Sequence, residues 1–149
     1  MAHVLLAEDN GNVADTLALL LEREGHEVHV VDDGVVALIE AARRLPDAAV
    51  LDIGLAFLDG IQVARRLRQQ YGDTLRLIAC TTHDDDGTRR KIVQAGFDVV
   101  LRKPAPAGEL LNAVAFAHRR RGDRRKRRRA RHVAERFRLK APLGATSSE

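Results

Sequence analysis

The stretch Val4-Leu5-Leu6-Ala7-Glu8-Asp9-Asn10 opens on four apolar residues and closes on two acids and an amide. A short continuous apolar run suits a strand buried on both faces, and such strands belong to parallel sheets. Leu17, Leu20, Leu21 and Glu24 follow at helical spacing, with Gly25 where a helix ends in a left-handed residue. Val28, Val30 and Val31 predict a second strand. Val35, Val36, Leu38, Ile39, Ala42 and Leu45 then form an apolar helical stripe that Pro46 stops. Ala48-Ala49-Val50-Leu51 is a third strand, ending in Asp52.

The remainder repeats the scheme. Ile61, Val63, Ala64 and Leu67 predict a helix closed near Gly72. Leu75, Leu77, Ile78, Ala79 and Cys80 predict a fourth strand, followed by Thr81. Asp84-Asp85-Asp86 precede a helix running through Ile92 and Val93 to Gly96; acids there cap the helix and suit its dipole, and consecutive residues do not share the one face a metal needs. Val99-Val100-Leu101 is a fifth strand leading into Lys103-Pro104. Leu110, Leu111, Val114 and Phe116 open a last helix. Five βα units predict an α/β domain over residues 1–118: a flavodoxin-like, doubly wound (βα)5 fold with a five-stranded parallel sheet.

At 149 residues the chain has room for one such domain and a short appendage. Aromatic residues are only 3%, so the core has to be built from Leu, Val, Ile and Ala. No apolar run reaches membrane-spanning length, and no signal-peptide pattern opens the chain. Cys80 is the single cysteine, which rules out an internal disulfide and suits a reducing, cytoplasmic location. The six histidines show no ligand spacing with cysteine or carboxylates, which argues against zinc. The net charge of +4 conceals two opposite parts. Residues 1–118 hold 12 Lys or Arg against 18 Asp or Glu, whereas residues 119–149 hold 13 against 3. An acidic body thus carries a basic C-terminal extension.

In an open parallel sheet, ligands sit beyond the carboxyl ends of the strands. Those ends carry Glu8 and Asp9, Asp52, Thr81 and Lys103. Clustered carboxylates need a counter-charge, and a hard divalent cation such as Mg²⁺ supplies one through oxygen ligands. Lys103 adds a fixed positive charge, and the Thr81 hydroxyl can donate to an anionic oxygen. A carboxylate so placed can act as a nucleophile toward phosphorus. Taken alone, Asp52 reads more readily as a cap on the loop that follows it; the company of the other four residues favours phosphoryl transfer.

These residues resemble a known family, the receiver domains of two-component response regulators, over about residues 2–118. The similarity lies in Glu8-Asp9 after the first strand, in Asp52-Ile53-Gly54-Leu55 with Asp59-Gly60, in Thr81, and in Lys103-Pro104. The resemblance implies that Asp52 accepts a phosphoryl group from a phosphohistidine on a sensor histidine kinase or a histidine phosphotransfer protein. It implies Mg²⁺ held by Glu8, Asp9, Asp52 and the backbone carbonyl of Gly54, Lys103 paired with phosphoryl oxygens, and Thr81 moving toward them. It also implies a cis Lys103-Pro104 bond, output by contact with a downstream protein target, and a phosphoacceptor rather than a turnover enzyme. His83, two residues after Thr81, lies where the family sets access of water to the acyl phosphate; a solvated loop residue is the alternative.

Three positions depart from the family pattern: Ala56 where proline is usual, Thr82 where alanine is common, and Val100 where an aromatic normally turns inward with Thr81. All three bear on how a signal leaves the site, and Ala56 predicts a less rigid loop. A phosphate shuttle or sink without a target is therefore an alternative. A nucleic-acid-binding regulator is another, because Arg124-Arg125-Lys126-Arg127-Arg128-Arg129 lies at the centre of a basic run spanning residues 119–140. That run reads as a continuation of the last helix or as an extended arm, with nucleic acid, a protein or an anionic surface as its partner. A phosphohydrolase of the haloacid dehalogenase type ranks lower, since Gly54 stands where that family places its second carboxylate.

Overall fold

The computed structural model describes residues 1–83 and 85–115; Asp84, Phe116 and the basic extension 119–149 lie outside the described residues. Strands β1 (His3–Ala7), β2 (Glu27–Val31), β3 (Ala48–Asp52), β4 (Arg76–Thr81) and β5 (Val99–Arg102) form one parallel sheet in the order β2-β1-β3-β4-β5. Helices α1 (Gly11–Arg23), α2 (Gly34–Arg43), α3 (Gly60–Tyr71) and α4 (Asp86–Ala95) connect the strands, and α5 occupies residues 107–115. The order reverses between β1 and β3. Their carboxyl ends, carrying Glu8-Asp9 and Asp52, therefore flank the crevice where such sheets bind ligands.

The continuous apolar strands serve two cores. Leu6, Val50 and Ile78 pack with Leu21 of α1 and Leu110 and Val114 of α5. Their chain neighbours Leu5, Leu51 and Leu77 point to the other face and pack with α2 and α3 through Ala37, Val63 and Leu67. In α2 the structure redraws the predicted stripe. Ala37 and Ala41 are fully buried, whereas Val35 and Ile39 are 43% and 48% exposed. A helix that lies close to its sheet needs small residues at the contact, so Val36 and Leu38 pack at its margins and Val35 and Ile39 face outward.

Helices α1 to α4 each start on a side-chain cap. Asn10 accepts from the N–H groups of Asn12 and Val13, Asp33 from Val36, and Asp85 from Thr88; Asp59 and Gln62 form a reciprocal capping box on α3. Gly25 and Gly96 take the left-handed conformation expected after α1 and α4 (φ 85° and 96°). Arg68 of α3, which hydrophobic patterning passes over, is the polar strut of the far end. Its guanidinium donates to the carbonyls of Gly96 (2.7 Å), Gly72 (2.8 Å) and Leu75 (2.9 Å) and to Asp98 (2.9 Å). Arg68→Met should lower unfolding free energy by about 2 kcal/mol, because several partly buried acceptors lose their donor together; urea denaturation reads the loss directly.

His3 yields a pH prediction. Its Nδ1 is buried without a hydrogen-bond partner among the described residues. Burial, reinforced by Arg44 and His29 and opposed by Glu27 and Asp47, lowers its pKa from the ordinary 6.5. The unfolded chain then binds the proton more readily, so the stability contributed by neutral His3 is complete above about pH 6.5 and declines as pH falls below it. The stability difference between wild type and His3→Leu should shrink from about pH 7.5 to about pH 5. A difference that stays constant over that range would contradict the assignment.

Candidate functional site: an acidic cluster closed by one lysine

Each residue of the cluster arrives on the end of a strand. The Glu8 N–H continues the β1–β2 ladder by donating to the Val31 carbonyl (3.0 Å), which turns its side chain in under the loops; Glu8 is only 3% exposed. Its Oε1 accepts from the Asn10 N–H (3.2 Å). Asp52 closes β3, and its Oδ1 accepts from the Gly54 N–H (3.1 Å). Oxygens of Glu8, Asp9 and Asp52 all lie within 4.8 Å of one another. Lys103 reaches them from the loop after β5, held by its own N–H on the Thr81 carbonyl (2.8 Å). Its Nζ donates to Glu8 Oε2 at 2.7 Å and lies 3.2 Å from Asp52 Oδ2.

The electrostatics follow from that crowding. Burial pushes the Glu8 carboxyl above its ordinary value; the Lys103 hydrogen bond opposes this and the Asp52 charge adds to it. Burial works against the charged form of Lys103, but the hydrogen bond to Glu8 and the attraction of Asp52 outweigh it, and its pKa is raised. Cys80, beneath the site, is pushed up to about 12 by burial and stays a thiol packed in the core. Three carboxylates against one ammonium leave an excess of negative charge on hard oxygen donors. That donor set fits a small divalent cation of the Mg²⁺ type and offers neither nitrogen nor sulfur for a softer one.

Thr81 stands at the end of β4 and is buried, and its hydroxyl is engaged in the turn that follows. It donates to the His83 carbonyl (3.2 Å) and accepts from the His83 N–H (3.0 Å). The Lys103-Pro104 bond is cis. Ala56 does not leave its loop untethered: its carbonyl accepts from the N–H groups of Gly34 (3.3 Å) and Leu58 (2.9 Å). Val100, in the position of the missing aromatic, is 39% exposed.

Two glycines beside the site have no room for a side chain. A Cβ on Gly34 would lie 2.0 Å from the Leu58 carbonyl oxygen, and one on Gly60 would lie 2.3 Å from that of Asp52. Only hydrogen leaves room for the β3–α3 loop to fold back against both. The Asp59-Gly60 pair was visible in the sequence, but the clash is a tertiary contact between backbones.

With this geometry the comparisons agree. The model of the response regulator receiver domain matches residues 4–115, and the chain belongs to that family. It is 38% identical over 117 residues to the response regulator MprA of Mycobacterium leprae strain TN, covering 78% of this chain and 51% of that protein. The chain spans about half the length of the curated relatives it matches. Its fold matches the receiver domain of a Francisella response regulator with a TM-score of 0.75 at 28% identity, covering 80% of this chain and 98% of the other. The receiver domain of a sensor histidine kinase from Pseudomonas aeruginosa PAO1 matches with a TM-score of 0.70 at 33% identity, covering 76% and 93%. That structure holds a magnesium ion coordinated in its active-site cleft. The chain is therefore a receiver domain of two-component signalling, a class whose members work with histidine kinases and downstream targets. Among the described residues, no helix is long and apolar enough to cross a membrane.

Gly60→Ala should lower unfolding free energy by about 1–3 kcal/mol, because the added methyl has to displace the backbone of Asp52. Gly11→Ala, where a Cβ meets nothing within 4 Å, is the control that should leave stability nearly unchanged in a urea titration.

Proposed function

We propose that Asp52 is the phosphoacceptor of a phosphorelay, taking a phosphoryl group from a phosphohistidine on a sensor histidine kinase or histidine phosphotransfer protein. The observation that carries this reading is the gathering of Glu8, Asp9 and Asp52 within 4.8 Å, with Lys103 on two of the three. A carboxylate oxygen of Asp52 attacks phosphorus as the phosphorus–nitrogen bond breaks, and the imidazole leaves with the bonding pair. Lys103 then balances charge that has moved from the carboxylate to the phosphoryl oxygens. Thr81 exchanges the His83 carbonyl for one of those oxygens, and the 81–83 turn moves with it. Hydrolysis reverses the cycle: water attacks phosphorus, the Asp52 oxygen–phosphorus bond breaks, and inorganic phosphate departs.

Glu8, Asp9, Asp52 and the Gly54 carbonyl would hold Mg²⁺. When bound, the ion supplies charge neutralisation to an entering phosphoryl group. On this reading residues 1–118 are the receiver, acting in the cytoplasm as a phosphoacceptor rather than a turnover enzyme. Output runs by contact with a downstream protein, and the basic residues 119–140 offer an additional anionic partner a place to bind.

Two measurements test the reading. Incubation with Mg²⁺ and phosphoramidate should add about 80 Da to the intact mass of wild type and nothing to Asp52→Ala; equal gain in both would overturn it. Mg²⁺ at tenfold excess over its dissociation constant should stabilise the wild type by about 1.4 kcal/mol against urea. The same concentration should do measurably less for Asp9→Asn, a variant that leaves Lys103 and its two partners in place.

A further inference from the structure

Phe57 is the one non-glycine residue with positive φ among the described residues (φ 67°), and it is 87% exposed. It sits at the centre of a three-residue turn closed by the Leu58 N–H on the Ala56 carbonyl (2.9 Å). A γ-turn with positive φ at its centre is rare and strained, and a bulky side chain adds to the cost. The surroundings enforce it. On one side of Phe57 the Ala56 carbonyl accepts from the Gly34 N–H; on the other, the Leu58 carbonyl fills the space a Gly34 side chain would need. The clamp drives the ring outward, where it gains no burial to offset the strain. Among the described residues the exposed ring gains little packing from the aromatic, and glycine would relieve the turn.

The ring stands on the rim of the site. Residues 53–59 leave directly from Asp52 and return to it, since the Gly60 N–H donates to the Ile53 carbonyl (3.0 Å) and Gly60 lies against the Asp52 carbonyl. Val35, next to the clamped Gly34, adds a second exposed apolar side chain. Asp52 itself is recessed, its side chain 12% exposed. A phosphohistidine carried by a protein has to be lowered past this loop, whereas a small phosphodonor does not need to touch it. Exposed aromatics that become buried on association are the typical anchors of protein interfaces.

We propose that Phe57 is a docking anchor for the protein that delivers the phosphoryl group, setting the efficiency of transfer from that partner without taking part in the chemistry at Asp52. The proposal rests on the phosphoacceptor reading above. Its test compares wild type, Phe57→Gly and Phe57→Tyr with two donors: phosphoramidate, and the autophosphorylated sensor kinase that labels the wild type fastest among those of the source genome. Phe57→Gly should accept from phosphoramidate at the wild-type rate while losing at least about tenfold in kcat/KM with the kinase, and Phe57→Tyr should recover most of that loss. Equal kinase rates for wild type and Phe57→Gly would overturn the anchor while leaving the phosphoacceptor reading intact. So would a change in self-association by sedimentation without a change in transfer, which would assign the ring to a second copy of the chain. Failure of phosphoramidate and of every kinase to label the wild type would remove both.

Discussion

The ammonium of Lys103 lies between Glu8 (2.7 Å) and Asp52 (3.2 Å), and the arrangement of the upper edge of the sheet depends on it. Carboxylates this close need a counter-charge to stay ionised together, and Glu8 is the most exacting of them: burial raises its pKa and the nearby Asp52 charge adds to the rise. A single lysine answers part of that demand. It reaches the cluster only because β5 lies at the far side of β4 and its outgoing loop is tied to Thr81 by a backbone hydrogen bond. What remains is an excess of negative charge on hard oxygens, and that residue of charge makes the site receptive to a divalent cation and, with it, to a phosphoryl group.

The second constraint is the close approach of backbones around Asp52. Gly34 and Gly60 let the loop after β3 press against α2 on one side and against Asp52 on the other. This packing keeps the Asp52 side chain recessed while Phe57 stands exposed on the same loop. The loop is thereby both the support of the site and its outermost apolar feature. Thr81 and His83 form a compact turn at the end of β4 whose hydrogen bonds are internal.

Much of this could be read in advance. Val4-Leu5-Leu6-Ala7 and Ala48-Ala49-Val50-Leu51 announce strands covered on both faces, and residues of opposite parity in them do enter the two separate cores. Glu8, Asp9, Asp52, Thr81 and Lys103 were nameable because strands in a parallel sheet all end on one edge. In α2 pattern and packing part for a physical reason: periodicity ranks residues by hydrophobicity, whereas a helix in close contact with a sheet selects Ala37 and Ala41 by size, with Val36 and Leu38 packed beside them and Val35 and Ile39 exposed. Arg68 was invisible because its acceptors are carbonyls of Gly72, Leu75 and Gly96, which carry no side-chain signature.

By itself, then, the sequence determined the alternation of strands and helices, the two-faced burial of the sheet and the identity of the polar residues at its carboxyl edge, because each is a property of local pattern and of parallel topology. Only the tertiary structure decided which carboxylate pairs with Lys103, where the Thr81 hydroxyl rests, which glycines have no room for a methyl and which way Phe57 points. Those are contacts between segments distant along the chain, set by how closely helices and loops settle on the sheet, and distance of approach is written in no single stretch of residues.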